Sequence, residues 1–76
     1  MNSHIDALTH AEAKVLALVD AGLSNRSIAE TMSITIGTVK THLHRSYEKL
    51  DARNRLDALA KARAQGRFLP SVEALV

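Results

Sequence analysis

The sequence predicts an all-α domain, and three observations predict it. Four segments open on residues suited to cap a helix: Thr9, Ser24, Thr35 and Asn54. Inside those segments apolar residues recur every three or four positions, the period that lines one side of a helix. No stretch shows the strict alternation of a half-buried strand, and no internal repeat or low-complexity run appears. A chain of 76 residues has room for one domain, which buries only about 60% of its unfolded surface and so has a thin core.

The first helix is expected over about residues 10–21. Thr9 and Glu12 have the spacing of a capping box, in which each side chain satisfies the other residue's free backbone N–H. Leu8, Ala11, Val15, Leu18 and Val19 follow at helical spacing, with Leu16 widening the face. Gly22 ends it, because glycine takes the left-handed conformation without a Cβ clash. Ser24 caps a second helix over 25–32, whose inward residues are Ile28, Ala29 and Met32. Two turns are too few to persist in water without tertiary packing.

Ser33 and Ile34 form a break before the N-cap Thr35, and the third helix is expected over 36–50. Val39, Leu43, Tyr47 and Leu50 make a single apolar stripe assigned to the core, while Lys40, Thr41, His44, Arg45 and Glu48 lie on the other side. After the connection Asp51 to Arg53, Asn54 caps a fourth helix placed over 54–65, with Asp57 at the favourable third position. Leu56, Ala58, Leu59 and Ala62 supply its apolar side. Gly66 and then Pro70 stop it, leaving a domain core of about residues 8–66 and a tail over 67–76.

Composition narrows function. There is no cysteine, so disulfides and thiolate metal sites are excluded. No run approaches the roughly 18 apolar residues of a membrane span, and the first residues lack a signal-peptide core. Net charge is +2, but its distribution is uneven. Residues 1–38 balance Lys14 and Arg26 against Asp6, Glu12, Asp20 and Glu30. Residues 39–76 set Lys40, Arg45, Lys49, Arg53, Arg55, Lys61, Arg63 and Arg67 against Glu48, Asp51, Asp57 and Glu73. The basic half would meet a polyanion, and double-stranded DNA is the obvious one.

A helix, a short helix, a tight break and a longer helix with a polar outer face make a helix-turn-helix. A helix fits the major groove, and residues near its start reach base edges. Gly37, Thr38 and Thr41 allow close approach, and Lys40, His44 and Arg45 supply long donors one turn on.

The same residues carry a family resemblance. The stretch GLSNRSIAETMSITIGTVKTHLHRSYEKLDARNRLDAL resembles the LuxR-type helix-turn-helix domain of bacterial transcription regulators, from LTHAE to about Gly66. The GLSN turn, the Ile28–Ala29 pair, TVK-x-HL, Y-x-KL and NR-x-x-A stand in the family's order. The ending ARAQG is similar to the maltose-activator-like branch of large ATP-binding regulators. The resemblance implies a four-helix fold whose third helix enters the major groove and whose fourth mediates dimerisation. It places Lys40, Thr41, His44 and Arg45 at bases or nearby phosphates, and Thr38, Ser24, Asn25 and Arg26 at the DNA backbone. Two departures stand out near the first helix: Ala11 where the family usually has Arg, and Lys14 where it has a second Glu. Both positions concern local ion pairs rather than DNA. In the connection before the fourth helix, Asp51 and Ala52 stand where the family often has Gly-Val.

Leu56, Leu59 and Ala60, with Arg63 beside them, are the candidate two-fold contact, and a dimer would read half-sites about ten base pairs apart. A homodimer on DNA with a weak monomer–dimer equilibrium in free solution is expected, in a cytoplasmic regulator of which this chain is either the whole or, the favoured reading, the C-terminal part. His42 points nearly opposite His44, about 200° round the helix, so the pair cannot share a metal; His4 and His10 do not rescue one. No catalytic residue, metal or cofactor is assigned. Two other readings compete. A helical protein-interaction module would show a long apolar groove, and a sigma-factor-like promoter contact would require RNA polymerase.

Overall fold

The computed structural model describes residues 8–65, in four helices: α1 His10–Asp20, α2 Asn25–Met32, α3 Ile36–Leu50 and α4 Arg55–Ala64. The fold is all-α, as the sequence predicts. α2 and α3 have the expected bounds. α1 stops one residue short of Ala21, and α4 runs between Asn54 and Gln65, which flank it as caps. The assigned stop at Gly66, Pro70 and the tail over 67–76 lie outside the described residues, as does His4.

Each helix starts on the residue that the sequence nominates. The Thr9 hydroxyl accepts the Glu12 backbone N–H at 3.1 Å, and the Glu12 carboxylate accepts the Thr9 N–H at 2.9 Å, completing the box. Ser24 accepts from Ser27 N–H, Thr35 from Thr38 N–H and Asn54 from Asp57 N–H, at 3.1, 3.1 and 2.9 Å. Each cap satisfies a donor that the first helical turn leaves without a partner and contributes about 1 kcal/mol.

The first three helices end alike. At the end of α1, the Leu23 N–H donates to the Leu18 carbonyl and the Gly22 N–H to that of Val19. The same pair of bonds runs from Ile34 to Ala29 and Ser33 to Glu30, and again from Ala52 to Tyr47 and Asp51 to Glu48. This closure needs one residue in the left-handed region. Gly22 fills the first such position at φ 96°, but Ser33 (φ 58°) and Asp51 (φ 56°) fill the other two. The tight helix-turn-helix break is therefore built on a serine that carries a Cβ where glycine is favoured.

α3 is the centre of the domain and packs on α1, α2 and α4. The core comprises Val15, Leu16, Val19, Ile28, Ala29, Val39, Leu43, Leu50, Ala58 and Ala62. Leu16, Ile28, Val15 and Val39 are almost wholly enclosed, and each contributes about 1.5–3 kcal/mol by leaving water. Three details differ from the sequence reading. Ala11 is only half-buried, and Glu12, Ala13 and Ala17 are buried in α1 instead. Tyr47 is half-buried at the edge of the core, while Ser46 beside it is enclosed and donates its hydroxyl to the His42 carbonyl at 2.7 Å. Leu56, counted on the apolar side of α4, is 77% exposed; Ala58 and Ala62 make the buried face. A serine or alanine passes for polar or neutral in a hydropathy pattern, yet its small volume lets helices approach closely.

Candidate nucleic-acid interface

With Val39, Leu43, Ser46 and Leu50 turned inward, the geometry of a helix turns the opposite side of α3 outward. Ile36, Gly37, Lys40, Thr41, His44, Arg45 and Glu48 are all exposed. None of the described segments covers this strip. α2 presents its own start beside the turn: Ser24 and Arg26 are exposed and Asn25 is half-buried.

The hydrogen bonds divide these residues into two kinds. Several hydroxyls are occupied within the domain. Ser24 caps α2, with Ser27 Oγ at 3.2 Å; Thr38 Oγ1 lies 2.9 Å from Thr35 Oγ1; Thr41 donates to the Gly37 carbonyl at 3.1 Å. Thr41 therefore turns its hydroxyl along the helix. His44 Nε2 stands 3.3 Å from Glu48 Oε2, an exposed i,i+4 contact that contributes little to stability. Asn25 buries its side-chain oxygen without a hydrogen-bond partner. By contrast, the side chains of Arg26, Lys40 and Arg45 form no hydrogen bond or ion pair among the described residues.

That contrast refines the charge argument. Of the seven described cations in the basic C-terminal half, four are engaged by carboxylates of the chain itself. Lys49 pairs with Glu12 at 2.7 Å, Lys61 with Asp57 at 3.3 Å, Arg53 more loosely with Asp57 at 4.0 Å, and Arg63 with Asp20. Lys61 also donates to the Asp51 carbonyl at 2.6 Å. Lys14 and Arg55 are the other described cations without a side-chain partner, one on α1 and one at the start of α4. Charge counting alone could not separate engaged from unengaged cations, because the pairing partners lie 4 to 43 positions away.

On α4, Leu56, Ala60 and Arg63 share the exposed side opposite Ala58 and Ala62, with Leu59 half-buried at its border. Arg63 is not simply presented to solvent, since it reaches Asp20 at the end of α1. A shallow open hollow of about 550 Å³ lies where α3 meets the connection to α4, lined by His44, Tyr47, Glu48, Asp51, Ala52 and Arg53. No group of three or more His, Asp or Glu among the described residues could hold a metal ion. No described helix is long and apolar enough to cross a membrane.

Comparison with known proteins identifies this architecture. Residues 6–62 match the family described as bacterial regulatory proteins, luxR family. The chain is 36% identical over 66 residues to the transcriptional regulatory protein DesR of Bacillus subtilis, covering 87% of this chain and 33% of DesR. It is 40% identical over 55 residues to the HTH-type transcriptional regulator MalT of Vibrio campbellii, covering 72% of this chain and 6% of MalT. The crystal structure of the response regulator ChrA of a heme-sensing two-component system superposes with a TM-score of 0.77 at 42% identity, over 82% of this chain and 31% of ChrA. The chain thus spans a third or less of each relative, and comparable identity to regulators of such different length ties it to the family rather than to one branch. By sequence and by fold, this chain belongs to the luxR family of bacterial regulatory proteins and is a LuxR-type helix-turn-helix DNA-binding domain.

Proposed function

We propose that the domain binds duplex DNA sequence-specifically by inserting α3 into the major groove, as the effector part of a transcription regulator. The observation that carries this reading is the exposed strip of α3 with Lys40 and Arg45 unengaged. A cation already paired with a carboxylate must break that contact before it meets DNA, whereas these two need not. Arg45 suits guanine, whose O6 and N7 accept two parallel bonds, a contact contributing about 1–3 kcal/mol of discrimination. Lys40 and His44 flank it, with His44 exchanging Glu48 for a base acceptor. Thr41 offers its methyl and its remaining lone pairs. Arg26, with Ser24, Asn25 and Thr38, faces phosphates at the groove edge and sets the register of α3. Asn25 does this through its amide NH2, since its oxygen is turned inside.

The fourth helix joins two copies on DNA. The exposed Leu56, with Ala60 and Leu59, supplies an apolar contact small enough to be weak without DNA, and Arg63 borders it. Fluorescence anisotropy on sites selected from random DNA tests the whole reading. Binding should weaken steeply with salt as phosphates release counterions. The double substitution Lys40→Ala, Arg45→Ala should weaken specific binding and reduce sequence preference while the domain stays folded. Affinity and sequence preference both unchanged in that variant would overturn the assignment of α3.

A further inference from the structure

The first turn of α3 departs from what helix stability favours in three ways. Ile36 is 38% exposed and stands outside the core cluster, one of two large apolar side chains so exposed among the described residues. Gly37 follows it inside the helix, where glycine is less favourable than alanine. Nothing in the fold asks for that glycine: it does not adopt the left-handed conformation, and an added Cβ would meet only Thr35 Oγ1, at 3.8 Å. Finally, the turn carries no acidic residue to complement the positive end of the helix, although α1 has Glu12 and α4 has Asp57 there. Among the four helices only α2 shares this lack, and α2 and α3 are the two of the helix-turn-helix. Local choices that oppose stability without a structural return mark a functional surface.

The apolar side chain limits what that surface can read. Of the groups presented in the major groove, the thymine C5 methyl is the apolar one; the rest are hydrogen-bond donors and acceptors that isoleucine cannot answer. Ile36 precedes Lys40 by one helical turn, so the two side chains are neighbours on the helix surface. Gly37, on the outward side between them, presents no bulk to the groove.

We propose that Ile36 is a specificity-determining residue that reads a thymine through its methyl group, with Gly37 giving the clearance for that approach. The proposal rests on the placement of α3 in the major groove and adds to it a base identity one turn ahead of Lys40. The contact encloses about one methyl group, which corresponds to a factor of about four in affinity.

The test uses the 76-residue chain and its best site selected from random DNA, with each thymine replaced in turn by deoxyuracil, which lacks the methyl. At one position of the half-site, deoxyuracil should weaken the unsubstituted protein about fourfold. Ile36→Ser should weaken binding to the thymine site by the same factor and be indifferent to deoxyuracil at that position. Its thermal transition should stay close to that of the parent, because the side chain lies outside the core. Selected sites without thymine, no deoxyuracil penalty at any position, or penalties that persist unchanged in Ile36→Ser would overturn the proposal. Lys40→Ala separates the two levels. If it leaves affinity and preference intact, the groove placement itself fails; if it weakens binding while Ile36→Ser leaves the deoxyuracil penalties unchanged, only the role of Ile36 fails.

Discussion

The Lys49 ammonium on α3 stands 2.7 Å from the Glu12 carboxylate on α1, and that same carboxylate oxygen accepts the Thr9 backbone N–H at 2.9 Å. Only 3% of the Glu12 side chain is exposed. One acidic group thus closes the cap of α1 and ties α1 to the helix that carries the interface. The resemblance drew attention to Ala11 and Lys14 as lost ion-pair positions in this region. The pair that does form reaches across 37 residues to Lys49, a partner that no local spacing indicates.

This pair predicts acid sensitivity of a definite sign. Burial pushes the Glu12 carboxyl up, but the Lys49 hydrogen bond, the Thr9 backbone N–H and the Lys49 charge together outweigh it and hold the group below its ordinary value of 4.5. A carboxyl depressed in the folded state contributes stability that is present above its unfolded value and lost as pH falls through the folded one. Stability should therefore be flat near neutrality and decline below about pH 4.5. Glu12→Gln should cost about 2 kcal/mol at pH 7, the scale of a hydrogen bond to a charged group. As pH falls through the folded value the gap between the two proteins should narrow, because the carboxyl of the parent then becomes protonated. Urea melts of both from neutral to strongly acidic pH check this; a gap that stays constant throughout would refute it.

The left-handed residues give a second prediction. Ser33 and Asp51 adopt φ 58° and φ 56° at positions of the kind that Gly22 fills at the end of α1. For a residue with a Cβ this conformation costs roughly 1–2 kcal/mol, part of which glycine returns as extra freedom of the unfolded chain. Ser33→Gly and Asp51→Gly should each stabilise the domain by about 1 kcal/mol, raising Tm by roughly 4–8 °C. Asp51 carries a further penalty, since its negative charge sits at the negative end of α3. Asp51→Asn should recover that part alone, and its gain should shrink in high salt. Calorimetry at two ionic strengths distinguishes the two contributions.

Much of the fold was legible because the signals were local. Caps at Thr9, Ser24, Thr35 and Asn54 depend on residues three positions apart, and all four form. The exposed side of α3 was legible for a similar reason: once Val39, Leu43 and Leu50 are buried, helical periodicity turns Lys40, Thr41, His44 and Arg45 outward. What escaped was set by distance and by small volumes. Glu12–Lys49 and Asp20–Arg63 join separate helices, so the sequence showed these cations only as charge. Ser46 reads as polar, yet it lies inside because its hydroxyl is answered by its own helix. Leu56 was assigned both to the apolar side of α4 and to the two-fold contact, and periodicity alone did not decide between them.

Gly37 provides a prediction in which stability and affinity move in opposite directions. Gly37→Ala removes an exposed glycine from a helix without creating a clash, since the new Cβ meets only Thr35 Oγ1 at 3.8 Å. The domain should gain up to about 1 kcal/mol, with a Tm higher by several degrees. If the glycine serves as clearance for the groove, the same substitution should weaken specific binding several-fold while leaving weak non-specific binding nearly unchanged. Thermal melts and anisotropy titrations on one preparation measure both. A variant that is more stable and binds equally well would remove the functional reason for glycine at this position.

The last prediction concerns α4. Leu56 is 77% exposed, so replacing it should hardly alter the fold, yet it is the largest apolar side chain on that outward side. Leu56→Glu places a charge where two copies would meet, and two such charges would oppose each other across the two-fold axis. The variant should bind an isolated half-site like the parent but lose the cooperative advantage on paired half-sites, an effect of about tenfold if the contact contributes about 1.4 kcal/mol. Arg63 offers an independent handle, because Asp20 already engages it within the same chain. Asp20→Asn releases Arg63 and should change pairing on the two-half-site DNA without touching α3. Equal cooperativity in the parent, Leu56→Glu and Asp20→Asn would place the dimer contact elsewhere than on α4.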